Sequence, residues 1–376
     1  MNTTLIVKLA PTNEQHTLLL ATMERFNEAC NWIADVAFKH RTAGKYKLQK
    51  MLYHEIRDSF GLSAQMTVRA ISKVAEAYRR DKRIKPTFNP HGAIVYDQRI
   101  LSWKGIDRVS LLTLEGRELI PVIMGGYQAD RLAAYGKRGQ ADLIYRDGTF
   151  YLAVVVDIPE PPPSEGTGVL GVDMGIANLA TDSDGETYSG EQVDAKRRHY
   201  ERMRAGLQRV GTKSSRRKLK RIRRRERRFK RNVNHTISKR LVAKASDTGR
   251  DLAIEDLGGI RERTTVRKAQ RSRHSKWAFG ELRQFLTYKA ALAGVRLHVV
   301  DPRNTSRTCP ICGHCDKRNR PDQATFRCTS CGYAGHADVV AAANIAARAA
   351  VSQPMVSDEA FASAPGTSPR ALAVGN

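Results

Sequence analysis

The sequence predicts a multidomain α/β protein. A β-rich N-terminal half, interrupted by helices, precedes a mixed α/β half that carries an inserted zinc ribbon. Strand-like and helix-like segments alternate along 376 residues, enough chain for two or three domains. A proline-rich stretch divides the chain near its middle, and a pair of CxxC motifs lies in its last quarter.

The N-terminal half opens with an extended segment and then changes to helical periodicity. Residues 1–12 begin as a strand, residues 13–80 carry helical spacing of apolar side chains, and residues 88–158 alternate like strands. The pattern predicts a β domain made of the first and third segments, with the helical segment inserted. Prolines at 159–168 indicate a linker into the second half.

Two short apolar segments of the second half carry acids. The stretch "VLGVDMG" predicts a buried strand with Asp173 inside it, followed by a hairpin that turns at Asp184 and Gly185. The stretch "LAIE" predicts another buried strand, which ends at Glu255. Burying an unpaired carboxylate is costly, so acids in these places indicate a bound cation.

Four cysteines have the spacing of a tetrahedral zinc site made from two knuckles. They are Cys309, Cys312, Cys328 and Cys331. A glycine follows each pair, at Gly313 and Gly332, where the tight turn behind a knuckle often needs a positive φ. Disulfide bonding is the alternative, and it fits poorly because the sequence shows no secretory signal segment. One structural Zn²⁺ is therefore predicted, since four thiolates leave no open coordination position.

The other two cysteines are not expected to bind metal. Cys315 has the wrong phase for either knuckle, and Cys30 lies on an apolar helical face, where a core position is the simplest interpretation.

A third acid, Asp338, starts the alanine-rich helix that follows the ribbon. Alone, it could simply favour the helix N-terminus electrostatically. Together with Asp173 and Glu255, it completes three acids on two strands and a helix, the set that a phosphodiester-cutting enzyme of the RNase H type uses. Such a set holds Mg²⁺, here two ions, through hard oxygen ligands.

The charge of the chain indicates a polyanionic partner. Its formal net charge is +26, which suits nucleic acid or an anionic membrane. No apolar run approaches the roughly 18 residues of a membrane span. We therefore expect an intracellular nucleic-acid protein with no membrane partner.

Much of this charge lies between residues 196 and 231, where sparse apolar side chains recur at helical intervals on both sides of "GTKSS". The pattern predicts two amphipathic helices with a basic outer face that follows phosphates without reading bases. A solvated or disordered run of charge is the alternative. The residues predicted to bind nucleic acid are Arg216, Arg217, Lys220, Arg223, Arg224, Arg225, Arg227 and Arg228.

In their order, these motifs resemble the TnpB family of transposon-encoded RNA-guided DNA endonucleases and the related miniature type V CRISPR effectors. The resemblance rests on "GVDMGIANLAT", "LAIEDL", "TSRTCPICG", "FRCTSCGY" and "ADVVAAANIA", within about 168–349. It also rests on the two predicted basic helices at 196–231, here called the basic hairpin. Asp173, Glu255 and Asp338 match the three catalytic RuvC carboxylates of the family, and the four cysteines match its ribbon. The sequence departs from the family at Val340, where an asparagine is frequent, which puts the local polar contacts in doubt.

The resemblance implies an RNase H-like RuvC domain at 165–304 and 335–352, with the zinc ribbon at 305–334 inserted in it. It further implies a barrel called the wedge domain at 1–12 and 82–164, carrying a recognition lobe at 13–81. Composition predicts a disordered tail at 353–376.

The implied activity is Mg-dependent cutting of both DNA strands at one RuvC site. The implied partners are a guide noncoding RNA and a double-stranded target DNA that is recognised beside a short motif. The implied location is the cytoplasm of a prokaryote, in association with the nucleoid. Three alternatives stay open: a guide-directed repressor that does not cut, a strand-transferring transposase, and a CRISPR effector with the same chemistry. The presence of all three acids argues against the repressor.

Overall fold

The computed structural model describes residues 1–135, 139–258 and 279–351. The chain forms two compact units, the first ending at Pro159 and the second beginning at Glu160. The tail predicted at 353–376 lies outside the described residues.

The first unit is built on a seven-stranded antiparallel sheet with the order β2-β6-β7-β1-β5-β4-β3. Residues 98–100 alone join β2 to β3, although these strands lie at opposite edges of that order. The sheet therefore curls until its two edges approach each other, which makes it nearly closed. The strands are β1 (Asn2–Leu9), β2 (Ile94–Asp97), β3 (Leu101–Lys104), β4 (Arg108–Thr113), β5 (Gly116–Ile123), β6 (Gln140–Arg146) and β7 (Thr149–Asp157).

Three helices lie between β1 and β2 in the chain. They are α1 (Asn13–Lys39), α2 (Lys45–Phe60) and α3 (Ala64–Arg80). The hydroxyl of Thr12 accepts from the N–H of Gln15, whose side chain accepts from the N–H of Thr12, so a capping box sets the start of α1. Cys30 on α1 is fully buried, as predicted, and burial raises the pKa of its thiol to about 12.

The strand prediction for residues 88–158 is wrong at one place, where the chain forms α4 (Gly126–Tyr135). This helix has one buried side chain, Leu132, so its sequence carries almost no apolar periodicity from which a helix could be predicted. The other elements described in this segment are the predicted strands.

The second unit contains a five-stranded sheet with the order β10-β9-β8-β11-β12. Strands β8, β11 and β12 are parallel, whereas β9 and β10 run antiparallel to their neighbours. The strands are β8 (Val169–Asp173), β9 (Asn178–Asp182), β10 (Thr187–Ser189), β11 (Asp251–Glu255) and β12 (Leu297–Val300). The predicted hairpin is present between β9 and β10, and Gly185 in its turn has φ 94°.

Helices cover both faces of this sheet. The helices of the unit are α5 (Glu191–Val210), α6 (Lys213–Asp247), α7 (Phe279–Ala293) and α8 (Ala337–Val351). Leu252 and Ile254 share a core with α6 and α7, whereas Ala253 between them packs against Ile345 of α8 on the opposite face. None of the described helices is long and apolar enough to cross a membrane.

Strand β8 and helix α8 approach each other very closely at Gly171. A Cβ atom placed on Gly171 would lie 2.0 Å from the carbonyl oxygen of Ala342, so only glycine allows this contact. The contact brings the first turn of α8 close to the end of β8.

Two short strands form the sheet of the cysteine-rich segment between β12 and α8. They are β13 (Thr325–Arg327) and β14 (Ala334–His336), and they pair antiparallel.

Candidate functional site

The two strand acids lie side by side on the sheet face that α8 covers. Asp173 is the last residue of β8, so it ends the strand instead of lying within it, and Glu255 is the last residue of β11. Ala253 faces α8, and Glu255, two residues further, points the same way because side chains alternate along a strand. Ile254 is paired with Val172, so the next step of the same register sets Glu255 beside Asp173.

Asp338 lies in the first turn of α8, and two side chains hold its carboxylate. The amide of Asn178, at the start of β9, donates to Oδ2 over 2.8 Å. The guanidinium of Arg320, from the cysteine-rich segment, lies 3.4 Å from Oδ1. The carboxylate is therefore oriented by the sheet on one side and by that segment on the other.

The three acids interact unfavourably with one another. Burial and, to a lesser degree, the nearby charges of Glu255 and Asp338 together raise the pKa of Asp173 to about 8. The pKa of Glu255 is also raised, mainly by burial. A bound cation would remove this repulsion, which is the electrostatic property expected of a metal site.

The ligand atoms of the three acids do not all lie close together. Among the described His, Cys, Asp and Glu residues, only the four cysteines form a group of three or more whose ligand atoms all lie within 4.8 Å. The three carboxylates are therefore spread more widely than a single compact cage.

Glu255 is oriented by the segment that follows β12. The hydroxyl of Thr305 donates to Glu255 Oε1, and both residues are buried. The side-chain amide of Asn344, on α8, donates to the carbonyl oxygens of Thr305 over 2.7 Å and Thr308 over 2.8 Å. Helix α8 therefore supports two of the acids, Asp338 directly and Glu255 through this segment.

The four predicted cysteine ligands converge. The Sγ atoms of Cys309 and Cys331 lie 3.6 Å apart, as do those of Cys312 and Cys328. These distances exceed the roughly 2.05 Å of a disulfide. They are close to the separation of about 3.8 Å between sulfurs that a tetrahedral ion holds at 2.3 Å. The donor set fits a structural Zn²⁺.

Local structure also supports the zinc assignment. Gly313 and Gly332 have φ of 71° and 77°, as predicted for the turns behind the knuckles. The backbone N–H groups of Cys331 and Ser330 donate to Cys328 Sγ and lower the pKa of that thiol to about 6. Cys315 is exposed and lies outside the group of four.

The ribbon, residues 305–334, shares its small core with α8. Cys309, Phe326 and Cys328 pack there with Ala337 and Val340. Val340, the position at which the sequence departs from the pattern it resembles, is 2% exposed. It therefore makes an apolar seam with the ribbon, and the polar contacts to Asp338 come from elsewhere.

The basic segment folds as the two predicted helices, α5 and α6, which break at Gly211 and Thr212. The guanidinium of Arg204 on α5 donates to the buried carboxylate of Glu226 on α6, and this bond ties the two helices together. Lys230, one turn further along α6, lies 3.2 Å from the same carboxylate. All eight residues predicted to bind nucleic acid are exposed: Arg216, Arg217, Lys220, Arg223, Arg224, Arg225, Arg227 and Arg228. Their exposure excludes a buried structural role, and their binding of nucleic acid stays a prediction.

Two known protein families match separate stretches of this chain. Residues 153–259 match the family described as "Probable transposase", and residues 279–345 match the family described as "Cas12f1-like, TNB domain". A TnpB-like protein of Methanocaldococcus jannaschii is 37% identical over 122 residues, which cover 32% of this chain and 43% of the relative. The chain is related to the TnpB and Cas12f proteins.

Two further relatives of the TnpB and Cas12f group match a longer stretch. The "CRISPR-associated endodeoxyribonuclease Cas12f1" of Sulfoacidibacillus thermotolerans is 31% identical over 219 residues, covering 54% of this chain and 50% of the relative. The "Putative RNA-guided DNA endonuclease InsQ" of Escherichia coli is 29% identical over 219 residues, covering 53% and 54%. The chain thus spans about half the length of the curated relatives it matches.

Solved structures of Cas12 proteins share the fold. The "mini-RNA-guided endonuclease CRISPR-Cas_phi3" superposes with a TM-score of 0.58 and 11% identity, covering 94% of this chain and 93% of that one. The Cas12f1 chain of a "Cas12f1-sgRNA-target DNA complex" gives 0.57 and 13%, covering 87% and 82%. At these identities, the likeness concerns the mixed α/β fold alone.

Sequence reasoning missed three contacts of this TnpB-like site. Asn178, Thr305 and Arg320 each touch an acid that lies at least 18 residues away in the chain. Asn178 and Thr305 fall within quoted motifs, but nothing in those motifs indicates these contacts. Only Asn344 carries a signal in the sequence. It is an amide on an otherwise apolar helix face, and such a residue needs a buried hydrogen-bond partner.

We expect the basic hairpin to dominate the salt dependence of nucleic-acid binding. Replacing Arg223, Arg224 and Arg225 with glutamine should weaken binding to all sequences alike. Each lost phosphate contact should reduce the slope of log K against log salt by about 0.7 to 0.9. Fluorescence anisotropy at several salt concentrations measures this slope, and circular dichroism checks that α6 persists. An unchanged slope would mean that these side chains face only solvent.

Proposed function

We propose that the chain is an RNA-guided DNA endonuclease encoded by a transposable element. It binds a guide noncoding RNA, recognises a short motif beside a matching double-stranded DNA, and cuts both strands at one RuvC-type site. The support from relatives is that their names describe endodeoxyribonucleases and a putative RNA-guided DNA endonuclease. A solved Cas12f1 of similar fold is described in complex with single-guide RNA and target DNA.

The observation that carries the proposal is the arrangement of the three acids. Asp173 and Glu255 end neighbouring parallel strands, and Asp338 begins the helix that packs over them. Their repulsion, which contributes to raising the pKa of Asp173 to about 8, marks a site built for cations. Structural ion pairs also place acids in strands, but such acids have a basic side chain as their main partner.

These three carboxylates would hold two Mg²⁺ ions, which supply an activated water and stabilise the leaving oxygen of the phosphodiester. The protein's own part is to hold the ligands in place before the substrate binds. Asn178 and Arg320 fix the two oxygens of Asp338, while Thr305 fixes Glu255. A rigid ligand set places the scissile phosphate without reorganisation during the reaction.

The remaining parts of the chain suit the binding of the partners. The basic hairpin, α5 and α6, would follow the phosphates of the guide or target, and the N-terminal unit would read the flanking motif in duplex DNA. Its seven-stranded sheet would be the wedge domain and its three inserted helices the recognition lobe. Base pairing would then supply sequence specificity, so the protein needs few contacts that read bases.

The proposal is tested by the RNA that copurifies with the protein. We expect sequencing to find one discrete noncoding species that overlaps the 3′ end of the gene. The purified ribonucleoprotein with Mg²⁺ should then linearise a plasmid that carries a matching target, and it should leave a plasmid with a scrambled target intact. Random copurifying RNA, or equal cleavage of both plasmids, would contradict the guide mechanism.

A further inference from the structure

The helical part of the first unit contains a cavity of about 730 Å³ that the proposed function does not use. It lies where α1 and α3 end and α2 begins, and residues 37–45 and 75–83 contribute its walls. Its volume is within the range of about 300–1,000 Å³ that is typical of pockets for small organic groups.

The cavity has a large excess of positive charge. Five cations line it, namely Arg41, Lys45, Arg79, Lys82 and Arg83, and no lining residue is acidic. Within the described chain, none of the five forms an ion pair with a carboxylate. The helix dipoles of α1 and α3 each place about half a negative charge at their C-terminal ends, which together offset about one positive charge. The dipole of α2 adds about half a positive charge at its N-terminal end. More than four positive charges therefore surround one concave site, and an anion would relieve their repulsion.

The cavity also has an apolar wall. Phe38 lines it and is 48% exposed, although it is a large aromatic side chain at the end of a well-packed helix. Tyr78 and three alanines line the cavity as well. Flat apolar surface beside unpaired cations is the combination that binds the base and the phosphate of a nucleotide.

The lining residues further restrict the kind of nucleotide. None is Asp, Glu, Asn or Gln, so the lining lacks the side chains that pair with the edges of adenine and cytosine. A free monophosphate carries about two negative charges at most, which leaves much of the positive charge unbalanced. A strand brings one phosphate with every nucleotide, and several of its phosphates can meet the five cations.

We propose that this cavity binds an unpaired nucleotide of a single-stranded nucleic acid, with its base against Phe38 and its flanking phosphates on the five cations. The proposal rests on the proposed function only in taking that strand to be part of the guide or of the opened target. It assigns the helical segment a second, sequence-independent contact, separate from the basic hairpin and from the acids.

The variant Arg41→Gly tests the proposal without endangering the fold. Arg41 has φ 48°, in the left-handed region at the end of α1, where glycine is the unstrained residue. The substitution therefore removes a cation of the cavity while relieving backbone strain. We expect the slope of log K against log salt for a short oligouridine RNA to fall by about 0.7. Lys50→Ala, which removes an exposed charge of α2 outside the cavity, should leave the slope unchanged.

A second variant tests the stacking contact. Phe38→Ala removes a half-exposed ring and should weaken binding of the same RNA by at least about 5-fold. Photocrosslinking of a thiouridine-containing strand, followed by peptide mapping, should place a crosslink on the segment around Phe38 in the wild type. That crosslink should be lost in Phe38→Ala and kept in Lys50→Ala.

Two results would overturn the assignment. The first is that Arg41→Gly and Phe38→Ala both bind the RNA with the affinity and salt slope of the wild type, and that no crosslink forms near Phe38. The other is efficient competition by free uridine monophosphate, which would make the cavity a site for a free nucleotide. Neither measurement depends on cleavage, so a failure here is distinct from a failure of the proposed nuclease, which the plasmid experiment detects.

Discussion

Replacing Asp173 with alanine is expected to abolish cleavage of both DNA strands while leaving binding of guide and target within about twofold of the wild type. Asp173 lies beside Glu255 and faces Asp338, so its loss removes a ligand on which the metal site depends. We expect cleavage to fall by at least about 10³-fold, because metal stabilisation of the transition state contributes several kcal/mol. Strand-specific labels on a matched duplex measure the two cuts separately.

A neighbouring acid provides the matched control. Asp256 follows Glu255 directly, but it is exposed and lies 2.6 Å from the guanidinium of Arg283. Asp256→Asn should therefore cut at close to the wild-type rate. Replacing Mg²⁺ with Ca²⁺ should mimic Asp173→Ala, because the larger ion takes more ligands at longer distances. If Asp173→Ala still nicks either strand, a second nuclease centre exists and the single-site mechanism is wrong.

Asp173→Ala should abolish cleavage but increase the stability of the metal-free protein, and this second effect can be measured without substrate. The pKa of Asp173 is about 8 in the fold and near 3.9 in an unfolded chain, so the metal-free fold loses stability as pH rises between these values. Asp173→Ala should therefore raise the Tm of the metal-free protein at pH 7. Added Mg²⁺ should raise the Tm of the wild type more than that of the variant. Equal shifts would argue against metal binding at Asp173.

Replacing Cys328 with serine is expected to remove zinc and to reduce cleavage at least about 10-fold. Cys328 is buried, and it packs in the core that the ribbon shares with Ala337 and Val340 of α8. Binding of structural zinc contributes about 10–16 kcal/mol in small zinc domains, so the ribbon should not stay folded without it. Its unfolding would release Arg320 from Asp338 and free the first turn of α8. Elemental analysis and cleavage assays measure the two effects.

The sixth cysteine supplies a control for this experiment. Cys315 lies within the ribbon but is exposed and outside the group of four thiols. Cys315→Ser should keep one zinc ion per chain and wild-type cleavage. A wild-type protein that contains no zinc, or a Cys315→Ser variant that loses it, would contradict the assigned ligand set.

Local features of the site could be predicted from the sequence. Short apolar runs that carry an acid, at Asp173 and Glu255, predict the two strands. Burying an unpaired carboxylate is costly, so the same acids also indicate a bound cation. The paired CxxC motifs predict which four thiols converge, since tetrahedral geometry restricts the spacing of zinc ligands. The break of the basic hairpin at Gly211 is equally local.

Features that depend on distant parts of the chain could not be predicted. The bond from Asn178 to Asp338 spans 160 residues and requires the helix to pack on the sheet, which no local pattern encodes. The contact of Thr305 with Glu255 follows from the path of the segment after β12. Helix α4 was missed for a different reason, because its single buried residue, Leu132, leaves no period to detect.

Because β8 and α8 meet at Gly171 but lie far apart in the chain, the three acids can come together only late in synthesis on the ribosome. Asp173 is made early, but the helix that must close on Gly171 follows only after position 336. At about 5–20 residues per second, the nascent chain spends roughly ten to thirty seconds in this state. Its basic hairpin is already complete by then, at position 247. Under the proposed function, synthesis would separate the capture of RNA from the ability to cut DNA, because the last of the three acids is made after the basic helices.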